Sequence, residues 1–213
     1  MLKFNYKELL FYMAGTIVIA LGVVLVIKSN LGTGPWDTVF IVLARRISFL
    51  TIGQSAILVT GLLTVLTSLL RKNKWLLLMF VPIFMVGNFI DLFDLVVFKD
   101  YAPDGFSRLF PYLFGLMIVP LGGTMLVITR FPAGVFEEMT LLIRDLLHLK
   151  NLFFARMLLE TFPVVVSLSL SWIWFQDNGA VSFGTLGFIA LTGPFFQFYM
   201  KRLTPRIRFK EGS

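Results

Sequence analysis

The chain has 213 residues, 57% of them hydrophobic and only 15% charged, with a mean hydropathy of +0.86 and a formal charge of +7. A soluble domain carries roughly 25% charged residues and has no use for so much apolar material, so the composition specifies an integral membrane protein. With no cysteine there is no disulfide framework, thiol chemistry or cysteine-held metal, and the basic residues flank apolar runs instead of forming a nucleic-acid surface.

The apolar runs are long enough to cross ~30 Å of hydrocarbon as helices, and the short alternating segments of a barrel are absent. The first span is expected over 9–27, after Lys3 and Lys7. It lacks a small-residue cleavage site and is read as a retained span, with Lys28 reaching the interface. Leu31-Gly32-Thr33-Gly34-Pro35-Trp36-Asp37 then breaks the chain, and 35–47 reads as a short helix closed by Arg45 and Arg46. Pro35 suits its first position and Asp37 its positive end. It is too short to cross, so it is expected to be re-entrant or interfacial. The second span covers 52–70, followed by the basic cluster Arg71-Lys72-Asn73-Lys74, and the third covers 75–98 with Pro82 inside it. Residues 101–108 form a polar linker with a Pro103-Asp104-Gly105 turn signal.

The second half repeats the plan. A fourth span covers 109–129, then comes a break at Phe131-Pro132-Ala133-Gly134-Val135-Phe136-Glu137 and a short helix to about His148. Spans over 152–175 and 183–200 follow, then a tail (201–213) with five basic residues against Glu211. Gly34 matches Gly134, Asp37 matches Glu137 and Leu21-Gly22 matches Leu121-Gly122, all 100 positions apart. The third and sixth spans match at an offset of 106, Gly87 to Asp91 against Gly193 to Gln197. The expected fold is an all-α membrane protein of six transmembrane helices in two inverted 3+3 repeats, 1–100 and 109–200. Each repeat carries one Gly/Pro break and one short helix. The basic termini and the 71–74 cluster place both termini in the cytoplasm.

Symmetric breaks at membrane depth leave backbone groups that only protein burial or a wet cavity tolerates. Transporters with inverted repeats bind substrate where such half-helices meet. Substrate contacts are therefore expected from Gly32, Thr33, Gly34, Trp36 and Asp37, from Ala133, Gly134 and Glu137, and from Asn88, Asp91 and Gln197. Ion coupling is expected at Asp37, Glu137, Arg156 and Glu160, the last two being four apart on one helix face. The structural alternatives are first-turn acids facing headgroups, Trp36 in an interfacial aromatic belt, an Arg156–Glu160 tie between helices, and Asp94 solvated at the interface. The lone His148 gives no metal site, no cofactor is implied, and no nucleotide-binding loop or catalytic set is present. An enzyme is not expected.

The run Leu31 to Thr38 followed by Thr51-Ile52-Gly53-Gln54, with Phe183-Gly184-Thr185-Leu186 and Gly193 to Gln197, resembles the YczE/YyaS/YitT group of bacterial membrane proteins, and its YczE-like members in particular. The resemblance covers nearly the whole chain. It implies a multi-pass protein of the bacterial cytoplasmic membrane, with some relatives grouped among small-molecule exporters, and assigns neither substrate nor catalytic residues. The second break, with Arg130 before it, departs from the Gly-rich form of the first. The expected function is secondary transport or export of a small molecule, proton- or cation-coupled. A membrane scaffold or accessory subunit and a passive channel are the alternatives. The expected partners are the lipid bilayer and a small-molecule substrate, and homo-oligomerisation stays open.

Overall fold

The computed structural model describes residues 6–131 and 134–204, with 152 and 153 in backbone only. Among these residues all regular structure is helical: α1 (Tyr6–Ser29), α2 (Pro35–Arg46), α3 (Ile52–Leu70), α4 (Phe80–Leu92), α5 (Leu109–Ile128), α6 (Val135–Leu146), α7 (Leu152–Phe175) and α8 (Phe183–Leu203). A 3₁₀ segment (Lys74–Met79) and a π turn (Phe93–Val97) extend α4, and a 3₁₀ turn (Gly105–Arg108) leads into α5. Five of these rods are long and apolar enough to cross a membrane: Tyr6–Ser29, Ile52–Leu70, Lys74–Val97, Gly105–Ile128 and Phe154–Phe175. The chain is a multi-pass all-α membrane protein. α8 has the length but not the hydropathy, because Gly193, Pro194 and Gln197 interrupt its apolar sequence.

Helix starts follow local chemistry. Thr51 and Gln54 form a reciprocal capping box at α3, with Thr51 Oγ1 accepting from the Gln54 N–H at 3.0 Å and Gln54 Oε1 from the Thr51 N–H at 3.1 Å. α2 opens with Pro35 at its first position, carries Asp37 in its first turn and ends on Arg45 and Arg46, each placed to suit the helix dipole.

The centre of the bundle is the α1–α5 pair, the most extensive helix contact in the molecule. The two helices run antiparallel, because Gly15 meets Gly122 while Gly22 meets Gly115. A Cβ built on Gly115 would lie 2.6 Å from the Gly22 carbonyl oxygen, and one on Gly122 would lie 2.7 Å from that of Gly15. Small residues at such a crossing let the backbones approach and replace the hydrophobic driving force that lipid removes. α4 flanks α1 and α8 flanks α5. The short helices exchange partners across the molecule: α2 packs on α3 and α7, and α6 on α7 and α3. α3 and α4 pack closely where Gly53 meets Gly87, whereas α7 and α8 form no comparable contact.

Apart from the α6–α7 contact, the inter-helix ion pairs among the described residues lie at the two ends of this bundle. Where α1 finishes, Lys28 pairs with Asp94 at 2.9 Å and Arg45 with Asp177 at 2.6 Å. At the opposite end Glu8 pairs with Arg130 at 2.8 Å, and Arg71 lies 3.5 Å from Glu138 and 3.3 Å from Asp145. Lys28 and Asp94, expected to reach water separately, are instead 17% and 13% exposed and hold each other. The reason is geometric: α4 lies along α1, so the ends of the two helices coincide.

Candidate functional site

The two breaks converge. Trp36 stacks on Phe136 with ring centroids 5.1 Å apart and planes 26° from parallel. These residues occupy the same position in the first turns of α2 and α6. Trp36 is 7% exposed, so it lies in the core and not in an interfacial belt. The short helices thus meet N-terminus to N-terminus.

Each break has the same internal logic. Asp37 folds back over Gly34, whose N–H donates to its carboxylate, and Glu137 folds back over Gly134. A Cβ on Gly34 would sit 2.5 Å from Asp37 Oδ2, and one on Gly134 would sit 2.5 Å from Glu137 Oε2. In both breaks the folded-back carboxylate fills the space beside the glycine three residues before it. Outside support differs. The Leu31 carbonyl accepts from the Gly184 N–H at 3.0 Å and from the Ser182 hydroxyl, which ties the first break to the start of α8. Gly32, with φ of 124°, is needed for that approach. Ahead of the second break, the Arg130 N–H donates to Glu8 at 2.6 Å and its guanidinium to both Glu8 oxygens.

α7 brings the remaining charges. Arg156 donates to Glu160 at 2.7 Å and lies 4.0 Å from Glu137. Glu160 is close enough to interact electrostatically with both Asp37 and Glu137. Glu137 and Glu160 therefore share one guanidinium, and Asp37 meets this pair through Glu160. Exposure is graded: the Arg156 and Glu137 side chains are each 45% exposed and Glu160 is 15% exposed. Asp37, Glu137, Arg156 and Glu160 thus form one group, with Gly34, Trp36 and Gly134 beside it. Ala133 lies outside the described residues.

Three other expected contacts stand apart. Asp91 caps α3, accepting from the Thr51 hydroxyl at 2.6 Å and the Gly53 N–H at 2.8 Å. Asn88 is exposed and donates to its own helix at the Phe84 carbonyl, 2.6 Å away. Gln197 lies on the exposed face of α8.

On the α1-end side of Trp36 there is a cavity of about 200 Å³, lined in part by Gly32, Thr33, Arg45 and Ser171. The hydroxyls of Thr33 and Ser171 are buried and without a hydrogen-bond partner, as are that of Ser167 and the Trp36 Nε1. Arg156, Glu160, Ser167 and Ser171 fall within about 60° of one face of α7 at 3.6 residues per turn. That face leads from the charged group to the cavity. At the cavity mouth, a hydrogen bond from Arg45 and a second from the Gly179 N–H hold the Asp177 carboxyl below its ordinary range.

The sequence reading passes over several of these residues. Tyr12 and Tyr112 are one pair: Tyr12 packs on Phe131 with ring centroids 5.1 Å apart, and Tyr112 packs with Leu31. Extending the 100-residue comparison upstream of Leu21-Gly22 reveals them, together with Gly15 and Gly115. No local signal announces Glu8 or the two serines.

Comparison with known proteins gives the family. A model described as a family of unknown function, DUF6198, matches residues 6–201. The chain belongs to the DUF6198 family. Within reach of this DUF6198 chain are two Bacillus subtilis (strain 168) proteins. The uncharacterized protein YyaS is 29% identical over 192 residues, covering 90% of this chain and 91% of YyaS. The uncharacterized membrane protein YczE is 26% identical over 191 residues, covering 88% and 83% respectively. The resemblance to the YczE/YyaS group is thereby borne out. No solved structure matches significantly.

Proposed function

We propose that the chain is a secondary transporter or exporter of a small molecule in the bacterial cytoplasmic membrane. It is read as two inverted three-span repeats whose short helices meet at the midplane. The observation that carries this reading is the stacking of Trp36 on its repeat mate Phe136, beside Glu137 and Glu160, which share Arg156, and Asp37, which Glu160 approaches.

Contacts between equivalent positions support the inverted repeat. Gly15–Gly122 is mirrored by Gly22–Gly115, and Tyr12–Phe131 by Tyr112–Leu31, all at the 100-residue offset. Such reciprocity is what a two-fold axis imposes on an interface. The ion pairs support six spans. Lys28 ends α1 and Asp94 follows α4, and both lie at the same end. Only α3 and α4 can cross between them, so α2, at about 18 Å long, turns back. α8 is then the sixth span, lying along α5 as α4 lies along α1. With Arg71 and the 71–74 cluster inside, both termini are cytoplasmic, and Arg45 and Asp177 face outward.

In this reading the charged group opens to the cytoplasmic side through Glu137 and Arg156. Protons reach Glu160 and Asp37 from there, and the α7 serines line the path to the outer cavity. Half-helix ends at a midplane site are a recurring transporter design.

Two measurements test the proposal. The chain has no cysteine, so Thr33→Cys and Ala133→Cys can be labelled singly in intact cells and inverted vesicles. We expect each to react from both faces, with a balance that shifts with the proton gradient. Fixed reaction from opposite faces under all conditions would instead leave two static loops and favour a scaffold. Glu160→Gln and Asp37→Asn are expected to abolish the gradient dependence.

A further inference from the structure

The turn between α3 and α4 carries charge that the fold does not use. α3 and the Lys74–Val97 rod are each long and apolar enough to cross a membrane, so the residues joining them sit at a membrane surface. Arg71 is taken up by Glu138 and Asp145, at 3.5 and 3.3 Å. Lys72 and Lys74 are exposed, and neither side chain forms an ion pair or hydrogen bond among the described residues. The turn that holds them is well built. The Lys72 N–H donates to the Leu69 carbonyl at 3.2 Å and the Asn73 N–H to that of Ser68 at 3.1 Å, a pattern that closes a helix through one left-handed residue. That residue is Lys72, with φ of 52°. Glycine or asparagine takes this conformation at less cost, so backbone geometry alone gives no reason for a lysine there. Asn73 Oδ1 then accepts from the Trp75 N–H at 3.1 Å and starts the 3₁₀ segment.

That segment sets an apolar wall beside the lysines. At three residues per turn, Leu76 and Met79 share one side and are buried with Val135 of α6. Trp75, Leu77 and Leu78 are left outward, 76%, 41% and 48% exposed. Together with Lys74 these three line an open cleft of about 260 Å³. Tryptophan concentrates at headgroup depth, and basic residues beside a membrane span attract anionic lipid. An ammonium next to leucines at the start of a span therefore matches a phosphate next to an acyl chain. The turn after α7 offers no such match: Gln176 holds its left-handed position, with φ of 57°, and Asp177 is paired with Arg45. An acidic protein would complement the lysines only, whereas the two leucines belong to a span and meet hydrocarbon.

We propose that this turn and cleft bind one anionic phospholipid, its phosphate taken by Lys72 and Lys74 and an acyl chain lying along Leu77 and Leu78. The assignment to the cytoplasmic leaflet rests on the orientation given above. The binding itself does not, and it is independent of the transport reading.

The test is energy transfer from the tryptophans of the full-length protein, in nonionic micelles, to pyrene-labelled phosphatidylglycerol. Saturable binding is expected, tighter than that of pyrene-labelled phosphatidylcholine. Lys72→Gln/Lys74→Gln should weaken it by about fivefold for each lysine removed. Leu77→Ser/Leu78→Ser should weaken both lipids. Lys150→Gln/Lys201→Gln, which removes the same charge from two other exposed lysines, should leave the affinity unchanged. Equal affinity of the unsubstituted protein for the two lipids overturns the proposal, and so does an equal loss in the two lysine variants. Displacement of the lipid by soluble glycerol phosphate at millimolar concentration would make this a site for a free phosphate and overturn the lipid assignment. Poly-glutamate binding more tightly than phosphatidylglycerol, and losing that affinity in Lys72→Gln/Lys74→Gln, would give the lysines to an acidic protein instead.

Discussion

The α1–α5 crossing offers a sharp quantitative test. In Gly115→Ala the new Cβ would lie 2.6 Å from the Gly22 carbonyl oxygen and 3.1 Å from the Val26 nitrogen. Both are backbone atoms, so no side chain can rotate away. Ordinary van der Waals contact begins at 3.4 Å, so the two helices must part by about 0.8 Å, and a gap of that size forfeits a quarter to a half of each dispersion contact it opens. The expected loss is ~1–3 kcal/mol, the usual cost of overpacking. Gly122→Ala should cost about the same, since its Cβ would lie 2.7 Å from the Gly15 oxygen. Combining Gly22→Ala with Gly115→Ala should cost less than their sum, because the first separation relieves the second. Gly193→Ala is the control, with nothing within 4 Å of its Cβ. Reversible unfolding in mixed micelles, followed by tryptophan fluorescence, reads all four. If Gly115→Ala proved as stable as Gly193→Ala, the close crossing, and the reciprocal symmetry argued from it, would be wrong.

Other outcomes follow from particular contacts. Asp91→Ala should cost about 1–2 kcal/mol and speed exchange of the Gly53 amide, since it removes the cap on α3. Lys28→Met and Asp94→Leu should each destabilise by roughly 1–3 kcal/mol, less than the ~3–5 of a fully buried pair, and the double variant should recover most of the loss. Because Asp177 titrates below its ordinary value of 3.8, its bond to the Gly179 amide is present above that pH and is lost as pH falls through the lowered value. Exchange protection at Gly179 should therefore hold from neutrality down through 3.8 and be lost only as the pH falls through the lowered value, and Asp177→Asn should remove the dependence. Restoring Arg45–Asp177 contact with the Arg45→Asp/Asp177→Arg swap should recover whatever stability Arg45→Asp alone forfeits in the same unfolding assay.

Much of the fold is legible because it is local. Apolar run length, Gly/Pro punctuation and end charges place α3 and α7 at their observed bounds and the other helices within a few residues. The 100-residue match between Gly34-Pro35-Trp36-Asp37 and Gly134-Val135-Phe136-Glu137 marks the breaks because both use one local arrangement, an acid folding back over the glycine three residues before it. Partner choice is not local. Glu8 and Arg130 are 122 positions apart, and nothing in either neighbourhood announces the other. Asp91 reads the same whether it lines a path or caps a helix, and the Gly53–Gly87 contact decides for the cap. Trp36 is equally suited by chemistry to a belt or a core. The antiparallel crossing of α1 and α5, set by four glycines, starts the two breaks from opposite ends of the bundle, and the meeting of α2 and α6 at their N-termini stacks it on Phe136. Sequence fixes what each helix can offer, while the crossing geometry selects which offers meet, because burial and charge pairing depend on distances that only packing sets.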